Sequence, residues 1–265
     1  MRTNFDILVF DLVGKIAHFR KFYANSSSLS YLFPPRTTLE GIVAGILGYD
    51  RDSYYDIFDP SECMITVSPM SRMRTIFQTV NYISVKSLND LNGKLGRTQI
   101  PFELVVPENF GDHLRYRIYF AHSDDQMISR LEAYLRDGRS HYPISFGAAN
   151  FLANAFYISR VHNASLSVPD KETLLKVQTP ILASKNLIRS LLIDENRSSK
   201  FTTDIFPFHF NKGRTLGINR KLIYDKNFQP IFLLNQNTPF AEIKYVDGGA
   251  PLSESIVFLE SLTED

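Results

Sequence analysis

The chain has 265 residues, of which 44% are hydrophobic and 22% charged, a composition that excludes disordered, collagen-like and coiled-coil proteins. Its 29 lysines and arginines nearly balance its 28 acidic residues, so a nucleic-acid site would require a local basic cluster. The single cysteine, Cys63, excludes an internal disulfide and a cysteine-based zinc site, and it suits a reducing cytoplasm.

The N-terminal region predicts a buried strand and then a loop. Residues Phe5–Val13 form a nearly continuous apolar run, which is typical of a central strand. Asp6 interrupts this run, and no apolar stretch of about 18 residues occurs, so we expect neither a signal peptide nor a membrane span and place the protein in the cytoplasm. Residues 14–35 are basic and aromatic at first and polar later, and they are expected to form a loop.

A helix is predicted at residues 37–47. Thr37 and Glu40 form a capping-box pattern, and Gly48 follows as a stop signal. Apolar residues recur at helical spacing between these signals, at Leu39, Ile42, Val43, Ile46 and Leu47. Other positions hold the small residues Gly41, Ala44 and Gly45, which would let a ligand or another backbone approach closely.

The middle of the chain predicts a long hairpin, and then a strand, a helix and a strand. These elements are expected at residues 64–67, 73–85, 99–106, 114–120, 127–135 and 151–161. Ser123 and Gln126 would cap the helix, and the hairpin would have a basic, glycine-bearing tip at residues 93–97. In order, the elements match a βαββαβ unit with an inserted hairpin, so the predicted fold class is α+β with a ferredoxin-like core.

The pattern of predicted strands and helices changes after residue 164, and we take this point as the end of the first domain, residues 1–164. The second domain, 165–265, is predicted to be a smaller β-rich C-terminal lobe. A helix is expected there at 185–192, and short antiparallel strands at 201–210, 216–224, 229–234 and 240–246.

Charge is segregated along the chain although its total is almost zero. Residues 197–226 contain seven basic and two acidic residues, and residues 247–265 contain five acidic residues and no basic one. The first 36 residues contain five basic and two acidic residues. The pattern therefore indicates separate basic and acidic surfaces.

Two basic stretches are candidates for RNA binding. In the first, Lys15, His18, Arg20 and Lys21 alternate with aromatic residues and precede the polar run 25–28. Single-stranded RNA requires this mixture, because cations bind phosphates and rings stack on bases, although a solvated strand edge has the same composition. The second is the hairpin tip, with Lys86, Lys94 and Arg97, where glycine and polar residues are also simply typical of turns.

No catalytic motif is present. The sequence has no HExxH, GxSxG, GxxxxGK[ST] or GxGxxG pattern, which excludes phosphate-cradling ATPases and dinucleotide enzymes. A metal-independent endoribonuclease stays open, because the fold alone could place a general acid and base, and His18 with Lys15 and Tyr23 is the best such cluster. A protein-interaction module whose basic stretches are only solvated is a third alternative. We assign no catalytic residue, metal ligand or cofactor.

Two segments resemble the CRISPR-associated family five proteins of the RAMP superfamily. The first is GKIAHFRKFYANSSSLSYLFPPRTTLEGIVAGILGYDRDSYYD, from Gly14 to Asp56, and the second is YPISFGAANFLANAFYI, from Tyr142 to Ile158. The resemblance covers about the first 160 residues. The chain length, the inserted hairpin and the C-terminal lobe resemble the type I-B members.

The resemblance implies a RAMP (RRM-like) core with a β-hairpin thumb at about 78–108. It implies a noncatalytic Cascade subunit that holds the crRNA 5′ handle, contacts the first backbone subunit and the large subunit, and meets target DNA only through the complex. The RNA-facing residues carried over are Lys15, His18, Arg20, Lys21, Asn25, Ser26, Ser27 and Arg36. The family's processing subtype has adjacent Lys and His residues; this chain has no Lys-His dipeptide, and it lacks the glycine-rich loop of dedicated processing RAMP proteins.

Overall fold

The apolar N-terminal run forms the central strand of a four-stranded sheet in the computed structural model. The structure describes residues 3–25, 27–85, 87–169, 171–184, 191–192, 199–235 and 238–262. Most of the helix predicted at 185–192 and the candidate site residues Ser26 and Lys86 lie outside these ranges.

The strands and α-helices follow one another as β1 (Thr3–Gly14), β2 (Phe19–Arg20), β3 (Ser30–Tyr31), α1 (Arg36–Leu47), β4 (Cys63–Pro69), β5 (Met73–Ile83), β6 (Arg97–Pro107), β7 (Leu114–His122), α2 (Asp125–Arg136), β8 (Ala153–Ser165), β9 (Thr173–Val177), β10 (Ile181–Leu182), β11 (Phe201–Asn211), β12 (Thr215–Asp225), β13 (Ile231–Asn235), β14 (Ala241–Asp247) and β15 (Ala250–Ile256). Within the ranges given above, no helix combines the length and the apolar character needed to cross a bilayer.

The central sheet has the ferredoxin-like strand order. Its strands lie in the order β4-β7-β1-β8, and every neighbouring pair is antiparallel. With α1 between β1 and β4 and α2 between β7 and β8, this is the predicted βαββαβ unit. The α+β prediction and the positions of its six core elements are therefore confirmed.

Both faces of β1 are buried, which explains its continuous apolar sequence. Leu8, Phe10 and Leu12 belong to the core cluster that also contains the apolar residues of α1 and α2. Ile7 and Val9 point to the other face, where they pack with buried residues of β14 and β15. A second sheet therefore covers the face of the central sheet that the helices leave open.

The contact between these two sheets contains a buried ion pair. Arg117 on β7 donates two hydrogen bonds to the carboxylate of Asp11 on β1, with N–O distances of 2.9 and 3.1 Å. The same guanidinium donates to Asp247 at the end of β14 and to the Tyr245 hydroxyl at 2.8 Å. Because removal of one partner of a buried pair leaves an uncompensated charge, this network fixes the register of β14 on the central sheet.

The inserted hairpin consists of β5 and β6, which pair without a register shift from Met73 opposite Pro107 to Ile83 opposite Arg97. Most of β5 is exposed, so the outer part of the hairpin projects from the body. At about 3.3 Å per residue, its paired strands extend for roughly 35 Å. The tip was expected to be polar, but Leu88, Leu91 and Leu95 are all exposed there, Leu88 to 85%.

The C-terminal strands form two further sheets, with the orders β10-β12-β11 and β13-β9-β15-β14. The strands predicted at 201–210, 216–224, 229–234 and 240–246 are confirmed as β11 to β14, whereas β9, β10 and β15 were not predicted. Buried residues of β11 and β12 belong to the same core cluster as those of α1. The domain boundary at 164/165 stays a prediction.

Both helices begin differently from the prediction. In α1 the N-cap is Pro35, which makes no side-chain capping bond, and Thr37 lies inside the first turn instead of capping it. In α2 the N-cap is Asp124, whose carboxylate accepts a hydrogen bond from the Gln126 backbone N–H at 2.9 Å, so Ser123 is not the cap. Glu40, the other half of the predicted capping box, is fully buried.

Glu40 is buried because it pairs with Arg36, which is also buried. The Arg36 guanidinium also pairs with Glu260 and donates to the carbonyls of Phe58 at 3.0 Å and Cys63 at 2.9 Å. This placement corrects the RNA-facing assignment of Arg36. A side chain that is 3% exposed and bound to two carboxylates cannot reach a phosphate outside the protein in this conformation.

We expect Arg36→Met to lower the free energy of unfolding by about 3–5 kcal/mol, because it leaves two buried carboxylates without their cation. Urea unfolding followed by circular dichroism would measure this change. Arg74→Met, at an exposed arginine of β5, is the matched control and should change stability little. Equal stability of the two variants would contradict the structural role given to Arg36.

Candidate nucleic-acid interface

A cleft of about 1040 Å³ opens beside α1 and is the largest described candidate for a binding site. Its floor is α1, and its walls are the segment around Arg20, the hairpin, the loop 142–148 and the turn between β11 and β12. The site therefore joins elements that are far apart in the sequence.

The floor of the cleft is formed by the small residues of α1. Gly41, Ala44 and Gly45 line the cleft, while the apolar residues of the same helix pack into the core. A Cβ atom at Gly41 would lie 3.1 Å from the Tyr54 hydroxyl, so a larger residue would displace this ring. These small residues lie on the floor of the cleft, where a ligand or another backbone could approach the helix closely, as expected from the sequence.

The segment after β1 was predicted to be a loop, but it forms an additional edge on the hairpin. Ala17 and Val105 exchange two backbone hydrogen bonds of 2.9 Å, and the Ser28 N–H donates to the Pro101 carbonyl at 2.9 Å. The short strands β2 and β3 pair with each other within this segment. These backbone contacts hold the Arg20 region against the base of the hairpin.

His18 lies at the edge of the cleft, but its ring is largely buried. Its Nδ1 lies 2.7 Å from the Glu103 carbonyl and its Nε2 lies 2.9 Å from the Ser28 hydroxyl. Since a carbonyl only accepts, Nδ1 is the donor of the neutral ring, and Nε2 accepts from Ser28. Burial lowers the pKa of His18 below its ordinary value, which agrees with a neutral imidazole.

Gly147 explains how the loop 142–148 packs on this region. Its φ is +87°, and a Cβ atom there would overlap the carbonyl group of His18. The His18 backbone N–H donates to the Phe146 carbonyl at 3.0 Å. The His18 ring packs against Phe102 at a tilt of 30°, with 3.8 Å between the ring centroids. Only glycine combines this backbone conformation with so close a contact.

Three arginines line the cleft: Arg20, Arg51 and Arg214. All three are exposed, and they come from the N-terminal segment, the turn after α1 and the turn between β11 and β12. Asp50 and Asp52 are the acidic lining residues, and Arg51 pairs with Asp52 at 3.3 Å. A hydrogen bond from the Tyr55 hydroxyl lowers the pKa of Asp52.

Aromatic side chains alternate with these charges around the cleft. Among them, Phe22, Tyr82 and Tyr142 are 44 to 45% exposed, so part of each ring is open to solvent. The other aromatic lining residues are Phe19, Tyr49, Tyr54, Tyr55, Phe102 and Phe210. Partly exposed rings beside guanidinium groups are the surface on which unpaired bases stack while cations bind the phosphates.

The structure brings only some of the predicted site residues together. Arg20 and His18 line the cleft, whereas Lys15, Lys21, Asn25 and Ser27 lie outside its lining. Lys94 and Arg97 are exposed at the outer end of the hairpin.

Lys21 has a local structural partner. Its ammonium pairs with Asp204 on β11 at 2.6 Å, and the Tyr23 hydroxyl donates to the other oxygen of the same carboxylate at 2.5 Å. The Lys21 ammonium also lies 5.5 Å from the centre of the Tyr31 ring. These contacts attach the N-terminal segment to β11.

The sequence prediction missed Arg51, Arg214 and the aromatic walls. The basic excess of residues 197–226 signalled Arg214, but sequence spacing does not show that the β11–β12 turn folds back to α1. Tyr82 and Phe102 lie on facing strands of the hairpin and both line the cleft, and Phe102 packs beside His18. Among the described residues, no group of three His, Cys, Asp or Glu side chains could hold a metal ion.

The comparisons with known proteins support the fold. No protein-family model matches the chain, and no curated protein matches it either. Among solved structures, a CRISPR protein from Archaeoglobus fulgidus is 13% identical with a TM-score of 0.51, over 94% of this chain and 98% of that chain. At this identity the likeness shows a shared fold.

Two further structures are similar at lower scores. A chain of a type III-B Cmr-beta complex bound to cognate target RNA is 14% identical, with a TM-score of 0.47 over 86% of both chains. A chain of a CRISPR RNA-guided surveillance complex is 11% identical, with a TM-score of 0.43 over 88% of this chain and 91% of that chain.

The buried, neutral His18 predicts a pH dependence of stability. Because folding lowers its pKa, the unfolded chain binds more protons, and the stability due to His18 is lost as the pH falls below the ordinary value of 6.5. We expect His18→Asn to reduce the fall in melting temperature between pH 7.5 and pH 5.5, a range of about one unit either side of that value.

His113→Asn is the matched control because His113 is exposed, and it should keep the pH dependence of the unmodified protein. A second buried histidine, His209, also has a lowered pKa and supplies part of the dependence in every variant. If His18→Asn kept the full dependence, His18 would not be held neutral as described.

Proposed function

We propose that this chain is a noncatalytic subunit of a CRISPR effector complex and that the cleft beside α1 holds one end of the guide RNA. The observation that carries this proposal is the combination of three exposed arginines and partly exposed aromatic rings around one cleft. In its finer form, the proposal follows the family resemblance: a type I-B-like Cascade subunit in the cytoplasm that binds the crRNA 5′ handle.

The chemistry of the cleft favours single-stranded RNA. A double helix presents its phosphates but not its base faces, whereas an unpaired strand offers both. Each base stacked on a ring contributes about 1–3 kcal/mol, and each arginine on a phosphate adds a salt-dependent contribution. The small residues of α1 would let the RNA backbone approach the helix surface at Gly41 and Gly45.

The state of His18 favours holding RNA over cutting it. A general base needs a free ring nitrogen near the attacking hydroxyl, but both nitrogens of His18 already have partners inside the protein. Tyr23, the other member of the cluster considered for cleavage, donates its hydroxyl to Asp204, and burial raises its pKa. Cleavage would require both groups to leave these contacts.

We expect Arg20→Ala with Arg214→Ala to weaken binding of a single-stranded repeat RNA and to reduce the salt dependence of binding. On a single strand, the slope of log K against log salt should fall by about 0.7 for each lost phosphate contact. Tyr82→Ala should lower affinity without changing the slope, because stacking neutralises no phosphate. Fluorescence anisotropy over a salt series measures both quantities.

Lys244→Ala, at an exposed lysine of β14 outside the cleft, is the matched control and should bind like the unmodified protein. Unchanged affinity and slope in the arginine variant would remove the cleft from the RNA surface. The same mixtures, incubated in EDTA and run on a denaturing gel, test cleavage. A discrete product that disappears with His18→Ala would replace the scaffold proposal with an endoribonuclease.

We propose in addition that the β5–β6 hairpin is the thumb that contacts the backbone subunit, while other surfaces meet the large subunit and, through the complex, target DNA. Its three exposed leucines support this role, because apolar side chains grouped at one protruding tip are typical of a protein-interaction surface. The hairpin begins at Met73, the first residue of β5, and so it starts before the thumb segment that was expected at about 78–108.

Replacing Leu88, Leu91 and Leu95 with serine should impair assembly while changing the melting temperature little, because these side chains are exposed. Copurification with the complex and thermal unfolding measure the two effects. Lys94→Ala with Arg97→Ala is the matched control for charge at the same tip. A large fall in melting temperature would show instead that the tip packs on the body.

A further inference from the structure

The central sheet has one open edge. Strand β8 is the last strand in the sheet order β4-β7-β1-β8 and therefore forms one edge. The strand at the opposite edge, β4, is buried along its whole length. Between Ala153 and Tyr157, β8 pairs with β1 without a register shift. In such an edge strand, alternate residues direct their N–H and C=O groups away from the sheet, and no described backbone segment pairs with 154–157 on that side.

A groove of about 490 Å³ runs along this edge. One wall is the strand segment 153–157, and the other is the end of α2 with the turn after it, including Arg136 and Arg139. These two arginines are the charged residues of the lining, and their side chains are 55% and 63% exposed. Arg139 pairs with Asp137 beside it, and the groove is therefore a strand edge with two exposed guanidinium groups at its rim.

Arg136 is held in place before any partner binds. Its guanidinium lies 3.9 Å from the centre of the Tyr157 ring and donates to the Tyr157 hydroxyl at 2.6 Å. It also pairs with Glu132 one turn earlier on the helix at 2.8 Å. An arginine that is already oriented loses little side-chain entropy when it binds an anionic group.

Segment 153–157 lacks the usual protection of an exposed strand edge. Soluble proteins block such edges with lysine, proline or a bulge, but the segment reads ANAFY and pairs regularly. Leu152 and Phe156 add exposed apolar area, at 64% and 51%. An unprotected edge that also offers apolar and cationic contacts fits a peptide strand better than a nucleic acid, because RNA has no N–H ladder to pair with it.

We propose that the outer edge of β8 at residues 153–157 binds an extended acidic peptide segment of a partner protein, which joins the central sheet as an additional strand. Its backbone pairs with the outward N–H and C=O groups of Ala155 and Tyr157, whereas the Ala153 N–H already donates to the Ile144 carbonyl at 2.9 Å. Alternate carboxylates of the peptide bind Arg136 and Arg139, and an apolar side chain of the peptide covers Phe156. Ile144 is the one residue that lines both this groove and the cleft beside α1, and the arginines and the strand edge used here lie outside that cleft, so the proposal does not depend on the proposed function.

The probe is a set of fluorescein-labelled heptapeptides in which glutamate alternates with valine, isoleucine, phenylalanine or tyrosine. At least one member should bind saturably, and lysine in place of glutamate should weaken binding by about tenfold or more. N-methylation of alternate residues along one edge of that peptide should abolish binding, and N-methylation along the other edge should preserve it. Hydrogen exchange should show new protection of the outward-facing β8 amides of Ala155 and Tyr157.

The variant Arg136→Gln with Arg139→Gln should lower the affinity of the best peptide by about tenfold, since it removes both charges and keeps polar side chains of similar length. Arg74→Gln is the matched control, at an exposed arginine near the start of β5 and outside the groove. Thermal unfolding of both variants verifies that they fold, so a loss of binding would report on the groove.

Several results would overturn the proposal. One is that no member of the peptide set binds at about 1 mM. Another is that the two N-methylated forms bind equally, which would exclude a strand ladder. Protection of the 153–157 amides by a single-stranded RNA would assign the edge to RNA, and the same protection in a concentration-dependent dimer would assign it to a second copy of the chain.

Discussion

The buried guanidinium of Arg36 determines how the parts of the cleft are held together. It binds carboxylates from α1 and from the turn that contains Glu260. It also donates to the carbonyl of Phe208 on β11, to that of Phe58, and to that of Cys63 at the start of β4. The floor of the cleft and the strand that leads to Arg214 are therefore fixed to the same charged group. Burial of such a charge is costly unless every donor is satisfied, so the surrounding backbone has little freedom.

Coverage of both faces of the central sheet explains why the candidate sites lie at edges. Helices pack on one face and β14 and β15 on the other, so within the described part of the chain neither face of the central sheet is open for stacking bases. The exposed basic and aromatic side chains are found instead on turns, on the hairpin and beside the small residues of α1. The open edge of β8 is a consequence of the same arrangement, because the layers cover faces and leave edges free.

The sequence was sufficient for the strands and helices of the core, because hydrophobic periodicity is a local property. It also singled out Gly41, Gly45 and Arg20, which line the cleft, and their role in binding stays a prediction. It could not distinguish Arg36 from Arg20, since Arg36 is buried by pairing with Glu40 and with Glu260, which lies 224 positions away, and Arg20 faces solvent. Arg214 was missed because its position in the cleft depends on how the C-terminal strands fold back on α1.

The distance along the chain between Arg36 and Glu260 affects the order of events during synthesis. The two residues are 224 positions apart, and one ion pair joins them. A nascent chain that ends before this glutamate lacks one of the two carboxylates that balance the guanidinium. The N-terminal region can collapse early, but the ion pair between α1 and the turn at Glu260 forms only after translation has passed residue 260. A product shortened before that residue would therefore keep a buried arginine with only one of its carboxylates, and its cleft would be more open to proteolysis.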